Sequence, residues 1–141
     1  MNLRACLITL GVGDLARARA FYEAWGFRAS QTSQGDVVFF CGPGPVLALY
    51  PRGKLAEDAQ VEDAPTGFSA VTLAANQRSI EDVDRVFAAA LAAGGRAVKT
   101  PRAVFWGGYS GYVADPDGHL WEIAHNPFLP LDADGMPRLA A

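Results

Sequence analysis

One carboxylate invites a chemical reading. In "YVADPDGHLWEI", Tyr112 to Ile123, Glu122 stands among apolar neighbours in a run that reads strand, tight turn, strand. An acid so placed can join a metal site, move a proton, or accept a hydrogen bond. Metal binding needs company, since a catalytic zinc takes roughly three protein donors. The chain has two histidines, His119 and His125. Strand alternation puts both on the face of Trp121 and Ile123, and Glu122 on the other with Leu120 and Ala124. The histidines therefore point away from the carboxylate, and no metal site is predicted. As a catalytic residue, Glu122 is a candidate general base, because burial against apolar side chains raises a carboxyl pKa. No second acid, base or nucleophile stands beside it in the sequence. A solvated or hydrogen-bonded structural carboxylate is the plainer alternative.

Just upstream, "AVFWGGYSGY" supplies Phe105, Trp106, Tyr109 and Tyr112, spaced by glycines that allow a bulge or close approach of a ligand. A two-residue hairpin in "ADPDGH" pairs Val113 with Leu120, Gly111 with Glu122 and Tyr109 with Ala124. Glycine opposite Glu122 leaves open space above the acid. Aromatic walls beside one carboxylate suit a flat ligand with a cationic or hydrogen-bonding group. Core packing is the competing account for Phe105, Trp106 and Tyr109, and the preferred one for Tyr112 and Trp121. Arg96, Lys99 and Arg102 form a small basic group that could steer an anion, although a solvated strand edge explains them as well. "GVGDLA" mimics a dinucleotide fingerprint, but Asp14 at the helix start would repel a pyrophosphate there.

The elements that must position these residues fall into a doubled pattern. "ACLITL" reads as a strand, and a helix follows with Leu15, Ala18, Tyr22 and Trp25 on one face, Asp14 as N-cap and Gly26 as stop. "FRASQTS", "DVVFFCG" and "VLALYPR" are three short strands. Residues 52–66 are polar and aperiodic and read as a linker. The sequence then begins again: "FSAVTLAAN" as strand, a helix capped by Ser79 and ended by Gly94-Gly95, and strands in "RAVKT", "GGYSGYVA" and "HLWEIAH". The helix carries Ile80, Val83, Val86, Phe87, Ala90 and Leu91 on one face. The expected fold is α+β: two paired β-α-β-β-β modules forming a curved, cleft-lining sheet. Module one covers 3–51 and module two 67–126, with a tail over 127–141, within a single domain over 1–141. The Pro-rich tail is expected to be extended, packed on the domain or on a partner.

Composition excludes several roles. Net charge is −3 without a basic block, so nucleic acid is not an expected partner, and no apolar run approaches the roughly 20 residues that span a membrane. The start of the chain lacks a signal-peptide pattern. Cys6 and Cys41 sit in apolar strand-like runs and read as buried reduced thiols, which suits a cytoplasmic protein.

The doubled pattern, with "ITLGVGDLARARAFYEAWGF" early and "DPDGHLWEI" late, resembles the vicinal oxygen chelate superfamily of glyoxalases, bleomycin-resistance proteins and extradiol dioxygenases. The resemblance implies a ligand cleft and a homodimer. In metal-dependent members, four strands each offer a ligand. Those positions fall here on Leu7, Ala48, Ala70 and Glu122, of which only the last can bind a metal. The implied function is therefore metal-free and cofactor-free binding of a small aromatic or amphipathic molecule, with Leu7, Ala48, Ala70, Phe105, Trp106, Tyr109 and Glu122 in contact. The alternative is a lyase, isomerase or dioxygenase using a metal or Glu122 as base; a third possibility is a structural module whose cleft is closed by side chains.

Overall fold

The computed structural model describes residues 3–64 and 67–140. Its chain separates into two compact units, Met1–Ser69 and Ala70–Ala141. Each is a β-α-β-β-β module of an α+β protein.

In the first, β1 (Leu7–Val12) leads into α1 (Leu15–Trp25), followed by β2 (Arg28–Ala29), β3 (Val38–Cys41) and β4 (Val46–Pro51). The sheet order is β1-β4-β3-β2, with β1 parallel to β4 and the other pairs antiparallel. The caps are those the sequence indicates. The Asp14 carboxylate accepts from Arg17 N at 3.0 Å, and Gly26 ends the helix at φ 123°, which a side chain would resist. The helix buries Ala18, Phe21 and Tyr22. The Tyr22 ring lies 4.9 Å from Phe21, 5.4 Å from Phe27 and 5.7 Å from Phe40, a core of edge-on and tilted aromatic pairs.

The segment read as a linker carries a helix, α2 (Arg52–Ala59). It buries no side chain and has no side-chain cap, so it lacks the apolar stripe by which helices are recognised. Partners outside the helix hold it instead: Arg52 Nε donates to Asp63 at 2.6 Å, and Lys54 pairs with Asp36.

In the second module, β5 (Thr72–Asn76), α3 (Ile80–Ala92), β6 (Arg96–Ala103), β7 (Tyr109–Ala114) and β8 (Leu120–His125) repeat the order, with sheet order β5-β8-β7-β6. Ser79 caps α3 through Asp82 N at 3.1 Å. Of the expected apolar face, Val83, Phe87 and Ala90 are buried, whereas Ile80 and Leu91 stay exposed. The helix lies on β6, β7 and β8, and the buried Val113, Trp121 and Ile123 share one face of the sheet.

One turn geometry recurs three times in this module. Val104 N donates to Gly108 O, Asp115 N to His119 O and Asp132 N to Met136 O. In each case the glycine one residue before the acceptor (Gly107, Gly118, Gly135) donates back to the first residue. These glycines have φ of 95°, 89° and 83°, so each loop is a three-residue turn closed by a left-handed glycine. The β7–β8 connection is thus one residue different from a two-residue hairpin, and the register moves with it. Tyr112, not Gly111, stands opposite Glu122, Gly111 faces Ile123 and Tyr109 faces His125.

Asp115 fixes that register. It is buried, and its carboxylate accepts from Asp117 N at 2.9 Å and His119 N at 2.8 Å. Asp115→Ala should lower unfolding free energy by about 2 kcal/mol in urea denaturation, because two backbone donors lose their acceptor. Asp115→Asn, which keeps one acceptor oxygen, should lose less than half of that. Equal losses in the two variants would refute the role given to these bonds.

The tail is not simply extended. Asp132 repeats the side-chain pattern of Asp115, Leu131 bridges Pro137, and the Arg78 guanidinium donates to the Asp132 carbonyl. The cysteines also differ from expectation. Both are exposed and in no disulfide, since Cys6 precedes β1 and Cys41 ends β3. No helix among the described residues is long and apolar enough to cross a membrane.

Candidate ligand site in the second module

The sheet face away from Trp121 and Ile123 carries the polar residues. Cross-strand pairing aligns Lys99 of β6, Tyr112 of β7, Glu122 of β8 and Ala74 of β5 in one row. The neighbouring row holds Arg102, Ser110 and Ala124. A cavity of about 540 Å³ opens over these rows, lined by Lys99, Arg102, Ser110, Tyr112 and Glu122 together with the loop residues Val104, Phe105 and Trp106.

Glu122 is half-buried and engaged. The Tyr112 hydroxyl donates to it; burial raises the phenol above its ordinary value, and the Glu122 charge and hydrogen bond add to that. Tyr112 therefore keeps its proton and remains a donor. Lys99 stands two strands from Glu122, on the order of 10 Å between backbones at standard strand spacing, with Tyr112 between them. The acid meets a phenol rather than a cation. A carboxylate has further lone pairs that can each accept an N–H or O–H.

The aromatic loop is shaped by glycine. A Cβ on Gly108 would lie 1.9 Å from the Trp106 ring, so the indole rests directly on that residue's backbone. Gly107 is close to the Phe128 ring, 3.0 Å from where its Cβ would stand. Phe105 is fully exposed at the loop tip. Trp106 and Phe105 thus contribute aromatic surface to the cavity lining, and Glu122, Tyr112 and Ser110 contribute polar groups to it.

Several expected contacts lie elsewhere. Tyr109 belongs to the helix-facing side of its strand: its hydroxyl donates to Asp84 of α3 at 2.7 Å, and it does not line the cavity. Ala70 precedes β5 and takes φ 60°, which takes it out of extended backbone and off the strand. Leu7 is exposed at the start of β1, and Ala48 is buried between Thr9 and Phe39 in the first sheet. The cavity is lined wholly by the second module. Neither histidine lines it: His125 Nδ1 donates to the Gln77 carbonyl at 3.0 Å, and His119 lies in the β7–β8 turn.

Among the described residues, no three His, Cys, Asp or Glu side chains come together as a metal-ligand group. The cavity's own donor set does not fit a divalent cation. Glu122 is its one carboxylate, the Tyr112 phenol is protonated, and the ammonium and guanidinium groups have no lone pair and repel a cation.

Two β-α-β-β-β modules with matching sheet order define a βαβββ-repeat architecture, with a polar cavity against the final strand of the second. The chain belongs to the Glyoxalase/Bleomycin resistance protein/Dioxygenase superfamily, whose model matches residues 6–123. It is similar to a glyoxalase-related enzyme from Fulvimarina pelagi, with 39% identity over 98% of this chain and 99% of that one and a TM-score of 0.86. A glyoxalase/bleomycin resistance protein/dioxygenase family enzyme from Burkholderia phytofirmans PsJN is 18% identical over 87% and 98% of the two chains, with a TM-score of 0.78. A lactoylglutathione lyase from Agrobacterium tumefaciens is 22% identical over 86% and 92%, with a TM-score of 0.62. The last two likenesses show the fold alone. No curated protein matches the sequence.

Proposed function

We propose that this protein binds a small aromatic or amphipathic molecule in the second-module cavity, without a metal. The observation that carries this reading is the cavity's composition: an exposed aromatic pair, Phe105 and Trp106, beside one carboxylate already positioned by a phenol. The ring of the ligand lies along Trp106, and a donor on the ligand meets Glu122. A second reading, an enzyme that uses Glu122 as general base, draws support from the description of the Fulvimarina pelagi relative as an enzyme. In that reading Tyr112 already occupies one Glu122 lone pair as a hydrogen-bond donor, and a substrate proton would meet another.

Calorimetric titration with a panel of naphthols and aromatic amides tests the cavity. Binding by the wild type is expected, and Glu122→Gln should weaken it about tenfold, the effect of one charge-assisted hydrogen bond, with little change in melting temperature. Should no compound of the panel bind, the ligand-site reading falls. Turnover abolished by Glu122→Gln with binding retained would instead establish the base.

A further inference from the structure

We infer that the natural ligand of this cavity is an aromatic anion, its ring on Trp106 and its negative group held between Lys99 and Arg102. The inference rests on the cavity being the ligand site and adds the charge and orientation of what fills it.

The irregularity of β6 is the first support. In a regular strand, residues three apart point to opposite faces, so Lys99 and Arg102 could not share one. Here the β6–β7 register shifts between Ala97 and Lys99 and again between Lys99 and Arg102. As a result Lys99 faces Tyr112 and Arg102 faces Ser110, two positions on the same side of β7. Bulges of this kind re-aim side chains at the expense of ladder hydrogen bonds. Both cations line the cavity as a consequence.

Their lack of partners is the second. Arg19, Arg52, Lys54 and Arg85 each pair with a carboxylate. Lys99 and Arg102 have no ion-pair partner among the described residues, in a chain where acids outnumber bases by 15 to 12. Two unpaired cations against one carboxylate make the lining net positive and disfavour the cationic ligand that Glu122 and the aromatics alone suggest. An anionic group chelated by an ammonium and a guanidinium, with its ring towards Trp106, leaves a neutral donor for Glu122.

Calorimetric titration of the full chain with 2-naphthoate and its neutral isostere 2-naphthamide tests this. The acid should bind at least about tenfold more tightly than the amide, with an advantage that shrinks as salt is raised. In Lys99→Gln/Arg102→Gln the two should bind within about twofold of each other. Arg96→Gln, on the same strand but outside the cavity, should preserve the discrimination, and circular dichroism melts establish that each variant is folded. Equal binding of acid and amide by the wild type, or discrimination surviving in the double variant, overturns the inference and leaves the cavity reading intact. Failure of both probes to bind the wild type overturns the two together.

Discussion

Gly111→Ala should cost about 3 kcal/mol of unfolding free energy, at the upper end of what one added methyl does. The reason is backbone rather than side chain. A Cβ at Gly111 would lie 2.7 Å from the Lys99 carbonyl oxygen and 2.7 Å from Pro101 N. Neither atom can rotate away, so β6 must move as a unit. The two register shifts bring those atoms in, which makes Gly111 a condition of the bulged strand. Urea denaturation followed by circular dichroism measures the loss, with the midpoint falling and the slope held. Gly53→Ala is the matched control: it lies within α2 with open space around its Cβ position, and should be neutral or stabilising by about 0.5 kcal/mol. A loss below about 1 kcal/mol at Gly111 would show that β6 yields easily, and the geometry offered for Lys99 and Arg102 would lose its anchor.

Tyr22→Ala is the larger expected loss, about 4 kcal/mol, and it lies in the other module. Tyr22 is fully buried on α1 and touches Phe21, Trp25, Phe27 and Phe40. Removing its ring takes away a large transfer term and leaves a cavity whose walls are themselves rigid rings, which collapse poorly. Tyr22→Phe keeps the ring pairs, and its loss should stay below half that of the alanine variant. Similar losses for both would place the stabilisation in the hydroxyl and contradict the packing account.

The parts of this fold that the sequence makes legible are those with a local signature. Asp14 and Ser79 announce helix starts because a side-chain oxygen must satisfy an orphan amide, and both do. The doubled order of elements follows from period changes at each of these caps. α2 escapes because a helix with no buried side chain writes no stripe into the sequence. The register of β7 and β8 escapes for a different reason: turn loops of two and three residues share the same Asp-Gly chemistry, and one residue of difference exchanges Gly111 for Tyr112 opposite Glu122. The glycine-flanked Phe105 and Trp106 do reach the Glu122 cavity, whereas Tyr109, three residues on, falls on the opposite face and meets Asp84. Lys99 and Arg102 are legible as members, with Arg96, of a small basic group that could steer an anion, but their place on one face of the sheet is not. Strand alternation separates them, and only Pro101, an awkward residue inside a strand, hints that the alternation is interrupted.

That interruption also matters to the protein's life in concentrated solution. β6 forms one border of its sheet, and a smooth border invites foreign strands to add on and seed fibrils. With Pro101 lacking an amide hydrogen, two breaks in step, and charged residues at Arg96, Lys99 and Arg102, this margin presents no continuous template. The distortion that brings two cations to the cavity thus also leaves that border without the regular row of pairing groups that strand addition needs.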